Sequence, residues 1–176
     1  MFLIHGKKRV IEKDIERWLL ILNRKHTTIV GLVYLLGFYP EFRNLFYKRI
    51  GPIGHLLGIF CPKMSTLYIV TEDIGPGLFI QHGFATIISA KSIGENCWVN
   101  QQVTIGYGIG GSCPVIGDNV DIKAGAKIFG GIKIGSNSII GANSVVSKDV
   151  PSDCTVAGVP ASIIRLNGVK VKQALI

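Results

Sequence analysis

The chain is short of charge, and shortest of acid. Only 11 of its 176 residues are Asp or Glu, against 19 Lys or Arg, so the net charge is +8 and the pI near 9.5. That balance favours an anionic partner. The basic residues are spread over the helical patterns and the repeats rather than gathered in one stretch, which argues against nucleic acid. Proline is scarce at 7 residues and no Gly-X-Y period accompanies the 22 glycines, so collagen is excluded and the glycines belong to turns. Cysteine is sparse and scattered at Cys61, Cys97, Cys113 and Cys154, with no C-x-x-C pair and no histidine at zinc spacing. Free thiols in a reducing cytoplasm follow, and no metal is expected. No apolar run approaches the ~20 residues of a spanning helix, the longest near the start being Thr27 to Tyr39. The opening Met1–Arg9 lacks the apolar core and cleavage site of a signal peptide. Apolar residues still make up 48%, enough for a sizeable core.

What is abundant is a period of six. Ile74, Ile80, then after one extra residue Ile87, Ile93, Val99 and Ile105 keep the count, and Ile116, Ile122, Ile128, Ile134, Ile140 and Val146 resume it. A six-residue period fits neither a helix nor simple strand alternation. It is the signature of a parallel β-helix, in which each hexapeptide supplies one short strand and its turn. Three residues after an anchor stand Gly77, Gly83, Asn96, Asn119, Gly125, Gly131, Asn137 and Asn143, the residue types that tolerate left-handed corners. Four after an anchor stand Cys97, Val103, Val120, Ala126, Ser138 and Ser144, small or apolar and expected to point inward.

Ahead of the repeats lie helical patterns. Ile11, Ile15, Trp18, Leu19 and Leu22 form an amphipathic stripe over residues 7–24, with Lys13, Asp14, Glu16 and Arg17 opposite. Helices are also expected over Thr28–Phe38 and Glu41–Ile50, the latter behind Pro40. The stretch 52–63, broken by Gly54, Gly58 and Pro62, has no assignment. The division is therefore an N-terminal helical segment (1–63), a β-helix (64–150) and a C-terminal cap and tail (151–176). The helices are apolar and flanked by basic residues. Packing on the rod or a neighbouring subunit is the weightier reading; peripheral contact with an anionic membrane face is the other.

A β-helix is mostly scaffold, so chemistry belongs where the count breaks. The first break follows Gln81-His82-Gly83, and the second spans Tyr107 to Pro114 with Gly106, Gly108, Gly110 and Gly111. No Gly-x-Gly-x-x-Gly stands between a strand and a helix, which argues against a dinucleotide site. His82 is the sole histidine of the rod; His5, His26 and His55 lie in the helical segment. A neutral imidazole there suits a general base for a hydroxyl.

The pieces Gly77-Leu-Phe-Ile-Gln-His-Gly-Phe84, Val103-Thr-Ile-Gly106, Ala124-Gly-Ala-Lys-Ile-Phe-Gly130, Gly141-Ala-Asn-Ser-Val-Val146 and Ala157-Gly-Val-Pro-Ala161 resemble, in order and spacing, the serine acetyltransferases. These are hexapeptide-repeat acyltransferases, and the likeness covers about residues 67 to 166. The resemblance implies a mainly β fold, a left-handed parallel β-helix behind a short N-terminal helical segment. It further implies a homotrimer, acetyl-CoA as co-substrate in the groove between rods, and His82 as the catalytic base. It places pantetheine contacts on the backbone near Gly106, Ala124, Gly125 and Ala142. Lys127, Lys148 and Arg165 are candidates for the CoA phosphates, and Gly83 or Gly106 for an oxyanion N–H.

The family's charged acceptor residues are replaced. An Asp directly before the histidine is Gln81, another fifteen residues earlier is Leu67, and the Arg-His before the loop proline is Ser112-Cys113. The aromatic after His82-Gly83 and the Cys-Pro of the loop resemble acetyltransferases of colanic-acid and capsular polysaccharide synthesis. With Gln81, Ser112 and Cys113 as acceptor contacts, the expectation is a cytoplasmic acetyl-CoA-dependent O-acetyltransferase acting on a saccharide, lipid-linked at the inner membrane face. L-serine is the alternative acceptor. A covalent role for Cys113 and a non-catalytic trimeric scaffold are further alternatives, and Glu72 or Asp73 are candidates to orient the base.

Overall fold

The computed structural model describes residues 7–175. His5 and the rest of the first six residues lie outside the described residues. Four helices come first: α1 (Lys8–Ile21), α2 (Thr28–Phe38), α3 (Pro40–Ile50) and α4 (Pro52–Phe60). The fourth occupies the stretch left unassigned from sequence. Its glycine is there for contact, since a Cβ on Gly54 would stand 2.6 Å from the Cβ of Tyr47 on α3. Among the described residues no helix is long and apolar enough to cross a membrane.

The chain then winds as a parallel β-helix. The first coil is β1 (Leu67–Ile69), β2 (Asp73–Ile74) and β3 (Phe79–Ile80); the second β4 (Thr86–Ile88), β5 (Ser92–Ile93) and β6 (Trp98–Val99). The third is β7 (Thr104–Gly106), β8 (Val115–Ile116) and β9 (Asp121–Ile122); the fourth β10 (Lys127–Phe129), β11 (Lys133–Ile134) and β12 (Ile139–Ile140). The fifth uses β13 (Val145–Val146), a parallel bridge from Val150 to Ile134, and β14 (Cys154–Ala157). Strands stack by thirds into three faces: β1-β4-β7-β10-β13, β2-β5-β8-β11, and β3-β6-β9-β12-β14. An antiparallel hairpin, β15 (Ser162–Leu166) and β16 (Val169–Ala174), extends the third face from β14.

Two-residue strands have no stability of their own; the stack does the work. Ile88, Ile105, Ile128 and Val146 line the inside of the first face, Ile93, Ile116 and Ile134 the second, and Val99, Ile122 and Ile140 the third, all at most 3% exposed. Burying one such side chain stabilises by about 1.5–3 kcal/mol. The inward positions Cys97, Val103, Val120, Ala126, Ser138 and Ser144 are fully enclosed, as the spacing predicted.

The structure corrects the count at one point. Ile87 is 41% exposed and Ile88 is 0% exposed, so Ile88 is the anchor. The corner after Ile80 holds two extra residues rather than one, and the next corner gives one back before Ile93. A second correction concerns a turn: it is Gly130, φ +100, and not Gly131 that takes the left-handed conformation.

Asp14 is a third correction. It does not belong to a solvated face but is 2% exposed. Its carboxylate accepts from Arg49 Nε on α3 at 2.9 Å and from the Gly77 N–H at 2.6 Å, while Arg49 Nη2 donates to the Gly75 carbonyl at 2.7 Å. Burial pushes the Asp14 carboxyl up, and Arg49 draws it back down. Beside this pair the Trp18 indole donates to the Leu78 carbonyl at 2.8 Å and packs against Phe79 and Phe42. The helical segment is thereby fixed to the first coil.

Candidate active site

Each coil turns three corners, and the three differ. Between the second and third faces, Gly77, Asn96, Asn119, Asn137 and Asp153 repeat one left-handed turn, with φ from +54° to +81°. Their side chains form a ladder: Asn119 Nδ2 donates to Asn137 Oδ1 at 3.1 Å, and Asn137 Nδ2 to Asp153 Oδ1 at 3.0 Å. This corner is regular from end to end.

The corner between the third face and the next first face is not. Its top rung is Gln81–Ala85, with His82 at φ +63, Gly83 at +48 and Ala85 at +50. Non-glycine residues at positive φ are uncommon, and the left-handed region disfavours them by roughly 1–2 kcal/mol each. Such strain persists where surrounding structure dictates it, often at a functional site. The exposed imidazole of His82 stands on this turn. Below it come Gln101-Gln102, Ala124-Gly125, Ala142-Asn143 and Gly158. The rungs are joined by backbone hydrogen bonds from Gln102 N to Phe84 O (2.8 Å), Gly125 N to Gln101 O (3.0 Å) and Asn143 N to Ala124 O (2.9 Å). The small side chains of Ala124, Gly125, Ala142 and Gly158 leave backbone accessible along the lower part of this ridge. His82, Ala124, Gly125 and Ala142 are therefore on one edge of the rod.

The corner between the first and second faces carries the inserted loop. Gly108 N donates to Ser112 O at 3.0 Å, closing the loop on itself, and a Cβ on Gly108 would lie 2.5 Å from Gly130 Cα, so the loop is pressed onto the coil below. Gly106, Ser112, Cys113 and Lys148 belong to this edge, with the whole first face between them and His82 in the same chain. Ser112 is exposed and Cys113 half-buried. Lys148 Nζ donates to the Leu175 carbonyl at 3.3 Å. Arg165 is exposed on β15, its guanidinium 3.3 Å from the Gly168 carbonyl. Lys127 is tied to Gln102 O at 2.6 Å on the first face. The expected site residues thus form two groups on two edges.

Around His82 the acceptor positions are uncharged. Gln81 is half-buried, and its Oε1 accepts from the Trp98 indole at 3.2 Å, leaving its amide N–H groups. Leu67 is 3% exposed. Glu72 pairs with Lys48 on the loop edge, and Asp73 begins β2; neither is on the corner of His82. A carboxylate that the sequence reading did not single out is closer. The methylene of Glu41 on α3 packs against Gly83. No periodic signal links these two, since helix and coil meet only in the folded chain. Among the described residues no three His, Cys, Asp or Glu side chains cluster in a way that could hold a metal ion.

Comparison with known proteins places this arrangement. The family described as bacterial transferase hexapeptide (six repeats) matches residues 113–148. A serine acetyltransferase of Synechococcus elongatus is 47% identical over 167 residues, 86% of this chain and 68% of that protein. The chain belongs to the serine acetyltransferase family of acyltransferases. A serine acetyltransferase of Staphylococcus aureus is 48% identical over 107 residues, and there the matched region spans only 48% of the relative. In structure, the serine acetyltransferase of Neisseria gonorrhoeae superposes with a TM-score of 0.70 at 30% identity, over 93% of this chain and 67% of that one. A serine acetyltransferase in complex with CoA superposes at 0.64 and 26% identity, over 89% and 69% of the two chains.

Proposed function

We propose that the protein transfers an acetyl group from acetyl-CoA to the hydroxyl of serine, with His82 as general base. The observation that carries this reading is the broken corner: a lone imidazole on a strained turn, with Ala124, Gly125 and Ala142 on the rungs farther down. The ridge suits the long, amide-bearing pantetheine arm, which needs backbone partners and little side-chain bulk. The CoA complex of a structural neighbour supports the co-substrate, and the names of the relatives support the acceptor. His82 takes the hydroxyl proton as the oxygen attacks the thioester carbonyl. The C–S bond then breaks, and the departing thiolate takes the proton back from the imidazolium. No acyl-enzyme is needed.

Two edges of one rod cannot form one site, so we propose a trimer in which the His82 edge of one chain faces the loop edge of the next. A cleft of about 800 Å³ between α3, α4 and β1 meets the loop edge only at Glu72 and takes in none of His82, Ser112 and Cys113. Sedimentation of a stable monomer at micromolar concentration overturns the trimer.

A saccharide acceptor is the second reading, and one observation favours it. Serine carries an ammonium and a carboxylate, yet Leu67, Gln81, Ser112 and Cys113 offer no charge, and an unpaired charge in a pocket is unfavourable. Neutral hydrogen-bonding groups suit sugar hydroxyls. CoA-thiol release with L-serine and with saccharides as competing acceptors decides between them. Efficient serine turnover upholds the first reading, turnover confined to saccharides replaces it with the second, and release with neither leaves a scaffold. The membrane contact keeps one supporting feature, the exposed Ile29, Val33 and Phe38 of α2 and Leu56, Ile59 and Phe60 of α4. Flotation with anionic vesicles tests it.

A further inference from the structure

An amide side chain beside a general base has two ends of opposite chemistry. Its oxygen accepts hydrogen bonds and its nitrogen donates them, so the end turned toward a substrate decides what that substrate can carry there. Gln81 stands directly before His82, and a neighbour sets its orientation. The Trp98 indole donates to Gln81 Oε1 at 3.2 Å. An indole has a donor and no acceptor, so the Gln81 oxygen is the end turned to the ring and the nitrogen is the end turned away. Among the described residues that nitrogen has no partner of its own.

The ring that sets this orientation is itself held. Trp98 on β6 pairs in register with Phe79 on β3, and the two rings meet edge to face with centroids 4.8 Å apart. Phe79 is buried and packs in turn on Trp18 of α1, centroid to centroid 4.5 Å. From the next coil Lys123 brings its Nζ to 5.9 Å from the Trp98 centroid, and Asp121 holds that ammonium at 2.7 Å. A file of three aromatic rings thus runs from the helical segment to the residue before His82.

We propose that Trp98 is the positioning residue that makes Gln81 a hydrogen-bond donor to the acceptor substrate. The site then takes a hydroxyl compound that presents an oxygen beside its reactive hydroxyl, and disfavours one that presents only an ammonium at that point. On the serine reading the oxygen belongs to the carboxylate; on the saccharide reading it belongs to a neighbouring hydroxyl. The proposal rests on acyl transfer at the His82 corner.

The test uses the full chain and two readouts. The first needs no acceptor. The chain has two tryptophans, so NMR shows two indole N–H signals, and Trp18, which donates to the Leu78 carbonyl, is the internal reference. The Trp98 signal, assigned by its loss in Trp98→Phe, moves upfield in Gln81→Leu and stays downfield in Gln81→Glu, whose carboxylate still accepts. The second readout compares paired acceptors: L-serine against ethanolamine, which lacks the carboxylate, and glucose against glucosamine, in which an ammonium replaces a hydroxyl. In whichever pair is acetylated, the wild type favours the first member by about 10-fold or more in kcat/KM, the effect of a hydrogen bond that one member alone makes. Gln81→Glu replaces the donor by an acceptor and inverts that ratio. Trp98→Phe keeps the ring and removes the N–H, so the amide is free to turn over and the ratio falls toward one. KM for acetyl-CoA stays unchanged in both. A Trp98 signal that does not move in Gln81→Leu overturns the proposal. So does a ratio that is the same in wild type, Trp98→Phe and Gln81→Glu, and so do equal falls for both members of a pair with a lower melting temperature, which mark a structural role. Undiminished turnover in His82→Ala, or release with no acceptor at all, is a different failure, that of acyl transfer at this corner.

Discussion

Two corners of the same rod use the same backbone trick and come to opposite ends. The asparagine corner repeats one turn from Gly77 to Asp153, and the amides of Asn119 and Asn137 each donate to the rung below. The His82 corner uses left-handed turns at His82, Gln102, Gly125, Asn143 and Gly158, yet its residue types change at every rung and its top rung carries two extra residues. Regularity is what stacking rewards: a turn that matches its neighbour shares its hydrogen bonds and adds stability by nearest-neighbour contact. The corner that departs from that optimum is the one with the exposed imidazole. The proposed chemistry stands on the rung that gives up its match.

The sharpest way to break this contrast is at the irregular corner. His82→Ala is expected to lower turnover by about 10²–10⁴-fold, the range for a lost general base, with the far-UV spectrum and melting temperature close to wild type. The imidazole is exposed, so removing it leaves no cavity. A variant that lost stability and kept turnover would make the strained turn a structural device.

The regular corner should answer in the other currency. Its first rung is clamped by Asp14 and Arg49, through the Gly77 N–H and the Gly75 carbonyl. Asp14→Ala leaves a buried guanidinium without its partner and should destabilise by about 3–5 kcal/mol, read from chemical denaturation. Asp14→Asn keeps the acceptor for Gly77 and should lose less. If both variants melted like wild type, the helical segment would not be fastened where the structure fastens it.

Lower on the same corner, Asn137→Ala puts a Cβ residue without an amide at φ +60 and removes two rungs of the ladder. About 1–2 kcal/mol is expected from the backbone alone. Asn137→Gly should recover most of it, because glycine accepts that conformation freely. Equal losses for the Ala and Gly variants would move the effect from the backbone to the side-chain ladder.

The contrast also explains what could be read before folding. A period of six is local information, so the anchors, the inward small residues and most left-handed turns were legible. Two readings that failed, and one stretch left without assignment, have physical reasons. Ile87 and Ile88 are the same residue type side by side, so composition cannot say which faces in. Asp14 looks like a surface acid because Arg49, which makes its burial tolerable, is far along the chain. Gly54 and Gly58 look like helix breakers, but Gly54 is required by the close contact of α4 with Tyr47. At the proposed site, His82 was visible as a break in the count. Glu41 was not, since it reaches Gly83 only across the junction of helix and coil. The division of the expected ligands between two edges was equally hidden, because a linear spacing does not say which corner a residue turns.

The smallest effect is expected on the loop edge. A cysteine acts as an acyl acceptor only as a thiolate, which requires a nearby base or positive charge. Cys113 is half-buried before Pro114, whose carbonyl accepts from Lys91 N at 2.8 Å, and in its own chain the first face separates it from His82. Cys113→Ser keeps size and polarity and should change turnover by less than about threefold, a difference of under 1 kcal/mol. Cys97 supplies the internal control. Burial pushes its thiol up to about 11 and encloses it completely, so at neutral pH a thiol reagent should modify Cys113 and Cys61 while sparing Cys97. Mass spectrometry of the protein quenched during turnover completes the test. An acetyl group on Cys113, formed at a rate matching turnover and absent from Cys113→Ser, would move the chemistry from the His82 edge to the loop edge and reverse the assignment of the two corners.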